Sequence, residues 1–211
     1  MSAHDLVIRN ASVVDGTGAP ARIADVAVSD GVITEVGPRL TGTGTREIDA
    51  DGLTVTPGFV DIHTHFDGQA TWDPILAPSS IHGVTSIVMG NCGVGFAPAR
   101  PTPEQHAWLI GMLEGVEDIP GTALAEGLAW DWETFPDYMN ALDRREYAID
   151  VATQVAHAPL RAYVMGERGA DPLVAPTVDE LARMAMMVRE GMQAGALGFT
   201  TSRTYVHRTK A

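Results

Sequence analysis

Short runs in which apolar and polar side chains alternate fill the opening of the chain, and after Pro57 they give way to runs that are apolar throughout. Leu6 and Ile8, then Val13 and Val14, follow a strand pattern that stops at Asp15-Gly16. Val26 and Val28 alternate with Asp25, Ala27 and Ser29, and Asp30-Gly31 supplies the positive-φ residues of a tight turn before Val32-Ile33-Thr34-Glu35-Val36 returns. A third run, Arg46-Glu47-Ile48-Asp49, turns at Asp51-Gly52 and continues through Leu53-Thr54-Val55. A period of two predicts β structure, so residues 1–56 read as a small β-sandwich or β-sheet subdomain, too small to hold much core by itself.

Beyond Pro57-Gly58 the pattern changes. Phe59-Val60-Asp61-Ile62 ends in His63, and Thr85-Ser86-Ile87-Val88-Met89 ends at Gly90-Asn91-Cys92-Gly93. Residues 149–156 form a third apolar run ending at His157, and 196–200 a fourth. Continuous apolarity suits strands buried on both faces of a parallel sheet. Between them, residues 79–83 suggest a short helix. Thr102-Pro103 with Gln105 marks a helix start, with Trp108, Leu109, Met112 and Leu113 on its apolar face. Residues 114–131 carry turn residues and read as loop, and a second helix is expected over 132–145. A capping box at Thr177 and Glu180 opens the last helix, with Val178, Leu181, Ala185, Val188 and Met192 on one face. Strands alternating with helices predict an α/β fold: over residues 57–211, about four βα units, the first half of a (β/α)8 TIM-type barrel. Half a barrel leaves two sheet edges open, which is costly. The expectation is therefore a fragment, or a barrel completed by another chain.

Composition narrows the function. Hydrophobic residues make up 45% and charged residues 19%, as in a soluble globular protein. A formal net charge of −13 argues against nucleic acid and anionic membrane surfaces as partners. No run approaches the roughly 18 apolar residues of a membrane span, and the opening MSAHDLVIRN lacks the pattern of a signal peptide. The single cysteine rules out an intrachain disulfide and fits a reducing cytoplasm.

The candidate chemistry sits at the strand ends. His63 and His65, at i and i+2, point the same way on an extended backbone, so both imidazoles can reach one metal about 2 Å away. Barrel enzymes keep their active sites at the C-terminal ends of the strands. The alternative is a pair of surface histidines in a loop; the preceding apolar strand and Pro-Gly turn favour ligands. Cys92 is either a buried small hydrophobe or a metal-bound thiolate, and its place at a strand terminus among glycines favours the thiolate. Asp67 is read either as a carboxylate that orients a ligand histidine or as a plain loop acid. His157 either donates to substrate or is a satisfied structural histidine. Arg203 either clamps a substrate carboxylate or is a solvated loop residue. Trp130 and Trp132 stand in a long connection that can line a pocket, whereas Trp108 and Met184, Met186 and Met187 read as packing material.

The run from Pro57 to Asp67 resembles the first-strand signature of the amidohydrolase superfamily. Gly90-Asn91-Cys92-Gly93 and Gly195-Ala196-Leu197-Gly198-Phe199-Thr200-Thr201 resemble its N-acyl-D-amino-acid deacylase (D-aminoacylase) branch, and the likeness covers essentially the whole chain. The resemblance implies zinc, one or two ions, held by His63, His65 and Cys92, and hydrolysis of an N-acyl amino acid, a small-molecule substrate. It implies that Tyr205 contacts substrate, although Ser202 stands where the branch has glycine. It also implies two histidine ligands and a general-base aspartate on later strands, in the remainder of the barrel, so that the 211 residues alone bind zinc weakly and catalyse nothing. Many dinuclear relatives bridge their metals with a carboxylated lysine on the fourth strand. Here the sole lysine is Lys210, which leaves Cys92 as the bridging candidate. The remaining alternatives are a relative acting on cyclic amides, dipeptides or esters, and a metal-free scaffold.

Overall fold

The computed structural model describes residues 4–117, 119–171 and 173–202. The chain divides into two compact units, residues 1–58 and 59–211.

In the first unit, β1 (His4–Val13), β2 (Arg22–Ser29), β3 (Val32–Gly37), β4 (Gly44–Asp49) and β5 (Thr54–Val55) form one sheet of order β3-β2-β1-β4, with β5 also paired to β1. Among the described residues this is a single sheet, not the two facing sheets of a sandwich. Its small cores lie around Ala11, Val13, Ala24, Val26 and Ala50, and around Val7, Ala27 and Leu40. The β2–β3 turn forms as expected, with Asp30 at φ 51° and Gly31 at φ 74°.

A bulge in β1 organises this unit. The pairing steps from Ile8 opposite Val26 to Ala11 opposite Ala24, so Arg9 and Asn10 together face Asp25. Asn10 takes φ 60° there. The Asp25 carboxylate, 4% exposed, accepts from the amides of Asn10 (2.9 Å) and Leu40 (3.0 Å) and from Arg9 Nη1 (3.1 Å). Burial alone pushes this carboxyl up; the two amides and the Arg9 guanidinium outweigh it and hold it below the usual carboxylate range. A group depressed in the folded state contributes stability above its unfolded pKa of about 3.9 and loses it as pH falls through the folded value. Asp25→Ala is therefore expected to cost about 2 kcal/mol at pH 7 by stranding the Asn10 and Leu40 donors. Urea unfolding at pH 7 and at about pH 3 checks this, with a smaller difference at the lower pH.

In the second unit, β6 (Phe59–Asp61), β7 (Val84–Met89) and β8 (Asp150–Thr153) form a parallel sheet in that order, and β9 (Val155–Ala156) pairs in parallel with β10 (Phe199–Thr200). The helices are α1 (Pro103–Glu117), α2 (Gly121–Gly127), α3 (Phe135–Asp143), α4 (His157–Met165) and α5 (Val178–Gln193). Their core gathers Ile87, Met89, Leu109, Leu113, Tyr138 and Leu160, each at most 2% exposed. No described helix is long and apolar enough to cross a membrane.

Several expectations change in this unit. The stretch read as loop holds α2, whose single buried residue, Leu124, gives it no periodic signature. The third strand is broken at Gln154, whose amide donates to the Met89 carbonyl at 3.1 Å, and β9 runs directly into α4. The capping box of α5 is present at Thr177 and Glu180. Its expected apolar face is not the buried one, for Val178 is 82% and Leu181 52% exposed. The helix instead turns Met184 and Gly191 inward. A Cβ at Gly191 would lie 2.5 Å from Val155 Cγ2, so the missing side chain is what allows this approach. Among the described residues β6 pairs only with β7, and Phe59, Val60 and Ile62 are exposed rather than buried on both faces.

Candidate metal centre

The end of β6 carries His63 and His65. Thr64 between them is 7% exposed, and its amide (3.0 Å) and hydroxyl (2.9 Å) both donate to the Val88 carbonyl of β7. Side chains alternate along an extended backbone, so pinning Thr64 to β7 leaves the two histidines on the other side. The His63 amide donates to Asp61 Oδ1 at 3.2 Å, which braces the strand end.

Cys92 arrives on the turn that follows β7. Gly90 (φ 75°), Cys92 (φ 56°) and Gly93 (φ 76°) all take the left-handed conformation. For a cysteine this costs about 1–2 kcal/mol, a strain that clusters at functional sites. The turn is held from several directions. Asn91 Nδ2 donates to the carbonyls of Val88 (2.8 Å) and Thr64 (3.3 Å), and its Oδ1 accepts from Gln154 Nε2 (3.0 Å). Thr200 Oγ1 donates to the Gly90 carbonyl and accepts from the Gly93 amide (3.1 Å).

These elements bring three donors together. His63 Nε2 lies 3.1 Å from Cys92 Sγ, and one ligand atom from each of His63, His65 and Cys92 lies within 4.8 Å of the others. The two imidazole rings meet edge-on at 5.5 Å and 68°. Tetrahedral zinc, with Zn–N near 2.0 Å and Zn–S near 2.3 Å, sets its donors about 3.3–3.6 Å apart. The residues fit such an ion with small side-chain movement, and two imidazoles with a thiol favour zinc-like metals over magnesium or calcium. Burial pushes the Cys92 thiol up, so a metal has to displace its proton.

The other expected residues divide. Asp67 is 2% exposed and lies against this turn: a Cβ at Gly95 would sit 3.1 Å from its Oδ1. Burial raises its carboxyl to about 7 against the pull of the Gly90 amide and its own. Its Oδ2 has no hydrogen-bond partner among the described residues. Tyr138 donates its hydroxyl to the Asp67 carbonyl at 2.7 Å. His157 opens α4, with Nδ1 3.1 Å from Thr201 Oγ1 and its ring edge-on to Phe199. Arg203 and Tyr205 lie outside the described residues. Trp132 is 4% exposed and donates to the Phe96 carbonyl (2.9 Å), and Trp130 stacks on His106 at 3.8 Å, so both are packed against the core. Sequence reasoning missed Asn91, Gln154 and Thr200. The available signals were an amide side chain between a glycine and the cysteine, and the place of Thr200 in the Gly195–Thr201 run; Gln154 gave none.

The model of the Amidohydrolase family matches residues 46–211. The N-acyl-D-aspartate deacylase of Alcaligenes xylosoxydans xylosoxydans is 36% identical over 202 residues, 95% of this chain and 37% of that protein. The crystal structure of N-acyl-D-glutamate deacylase from Bordetella bronchiseptica, complexed with zinc and a phosphonate mimic of the reaction tetrahedral intermediate, superimposes with a TM-score of 0.76. It is 36% identical, with 94% of this chain and 38% of that one covered. A D-aminoacylase structure described for its binuclear metal center is 34% identical at a TM-score of 0.76, covering 94% and 38%. The chain thus spans under two-fifths of the length of these relatives.

Proposed function

The chain belongs to the amidohydrolase family, and from that premise we propose that it contributes the first metal ligands of an enzyme that hydrolyses N-acyl-D-amino acids to a carboxylate and a D-amino acid. The convergence of His63, His65 and Cys92 within 4.8 Å carries this reading. In it, the parallel strands of the second unit are the opening strands of a (β/α)8 barrel, and zinc is the metal, as in the Bordetella relative.

Bound there, zinc supplies Lewis acidity toward a substrate carbonyl and lowers the pKa of a water molecule toward about 7. The chain's own residues do the rest of the work assigned to this region. His63 and His65 offer neutral imidazole nitrogens, and Cys92 gives up its thiol proton. Asp67 braces the turn behind them from its buried position. His157, at the end of the third strand, is proposed to face the substrate, the guanidinium of Arg203 to pair with its carboxylate, and Tyr205 to bind substrate as well. The general base is expected from an aspartate elsewhere in the whole protein.

The test is a metal analysis and substrate panel on the whole protein. Stoichiometric zinc is expected, with hydrolysis of N-acyl-D-aspartate, N-acyl-D-glutamate or an apolar N-acyl-D-amino acid, and little of the L-enantiomers. Metal-free protein without turnover would identify a scaffold. Preference for cyclic amides, dipeptides or esters would move it to another branch of the family.

A further inference from the structure

We infer that Thr200 is a positioning residue for Cys92: its hydroxyl holds the turn from Gly90 to Gly93 in the left-handed geometry that brings the thiol to His63 and His65. The inference rests on the metal reading above.

Cys92 sits between residues that its own turn fixes only in part. Asn91 is anchored by its side chain to Val88, Thr64 and Gln154, and its carbonyl accepts from the Val94 amide at 3.0 Å. Those bonds hold Asn91. The peptide groups at the two ends of the turn, the Gly90 carbonyl and the Gly93 amide, are instead tied by one group, the Thr200 hydroxyl. A hydroxyl has one donor and two acceptor lone pairs, so it can serve both ends at once. It comes from a distant part of the chain and is itself fixed, because β10 is in register with β9 at Thr200 opposite Ala156. The backbones approach closely here: a Cβ at Gly93 would lie 2.9 Å from the Thr201 Cα. That approach puts the hydroxyl within reach of the turn, and the side chain closes it.

Packing and strand propensity alone would be satisfied by valine, which keeps the shape of threonine and removes both bonds. Serine keeps both bonds and removes the methyl group. The two variants therefore separate positioning from packing. Cobalt(II) is the probe, because thiolate-to-cobalt charge transfer reports the Cys92–metal bond directly.

Thr200→Val is expected to weaken cobalt binding by about 10- to 100-fold and to diminish the charge-transfer band, with Thr200→Ser close to the unsubstituted protein. Amide exchange supplies a metal-free readout: the Gly93 amide is expected to be protected in the unsubstituted protein and exposed in Thr200→Val, with α5 amides unchanged. A Gly93 amide that exchanges freely in the unsubstituted protein overturns the inference without any variant. So does Thr200→Val with unchanged cobalt affinity and band, or Thr200→Ser impaired as much as valine. An unsubstituted protein that binds cobalt with no thiolate band, while Gly93 is protected, overturns the metal reading itself and the inference with it.

Discussion

Cys92→Ala is expected to weaken zinc binding by about 100-fold or more, or about 3 kcal/mol, while leaving the fold intact. The thiolate is the softest of the three donors, and two imidazoles alone make a poor site for zinc. Alanine at φ 56° carries the same left-handed strain as cysteine, so the substitution isolates the sulfur from the backbone. Cys92→Gly separates the two contributions further. It relieves the strain and is expected to raise the stability of the metal-free protein by about 1 kcal/mol, while losing metal to the same extent as alanine. Opposite signs for stability and metal affinity mark a residue kept for its sulfur. The affinity also depends on pH. Burial favours the neutral thiol, and binding releases its proton, so from the thiol pKa down to neutral pH affinity is expected to fall about tenfold for each unit of acidification. Competition titration with a chromophoric chelator measures all of these; an alanine variant binding as tightly as cysteine would remove Cys92 from the site.

The grouping of His63, His65 and Cys92 at strand ends was legible in the sequence because its signal is local. His63 and His65 share a face by the period of a strand, and Cys92 stands among glycines at the end of another. The capping box of α5 and the turn at Asp30-Gly31 are local as well. What escaped is whatever depends on residues far apart in the chain. Thr200 looks like an ordinary strand threonine until β10 is laid beside β9, and Gln154 interrupts a strand with no glycine or proline to mark the break. The buried face of α5 was misjudged because apolar periodicity counts side chains, whereas Gly191 reaches the core by having none. Asp25 is similar: one acid in an alternating run anchors a bulge made by residues on another strand.

Gly90→Ala follows from the same principle, and its expected cost is about 3–4 kcal/mol. Left-handed φ accounts for about 1–2 kcal/mol of it. The rest is collision: a Cβ at Gly90 would lie 2.3 Å from the Gln154 carbonyl oxygen and 3.0 Å from its amide nitrogen. Those are backbone atoms, so no rotamer change relieves the contact. Nor can the segment retreat easily, because the Gln154 amide donates to the Met89 carbonyl (3.1 Å) and the Val155 amide to the Gly198 carbonyl (2.9 Å). Gly83 is the matched reference in the same unit: it is left-handed at φ 87°, yet its Cβ would meet Phe59 at an ordinary 3.5 Å. Gly83→Ala is expected to cost only the conformational part, about 1–2 kcal/mol. Urea unfolding at constant m-value compares the two. Equal costs would mean that β7 and the Gln154 segment do not approach as closely as the structure has them, and the turn that presents Cys92 would then lose the wall against which it is bent.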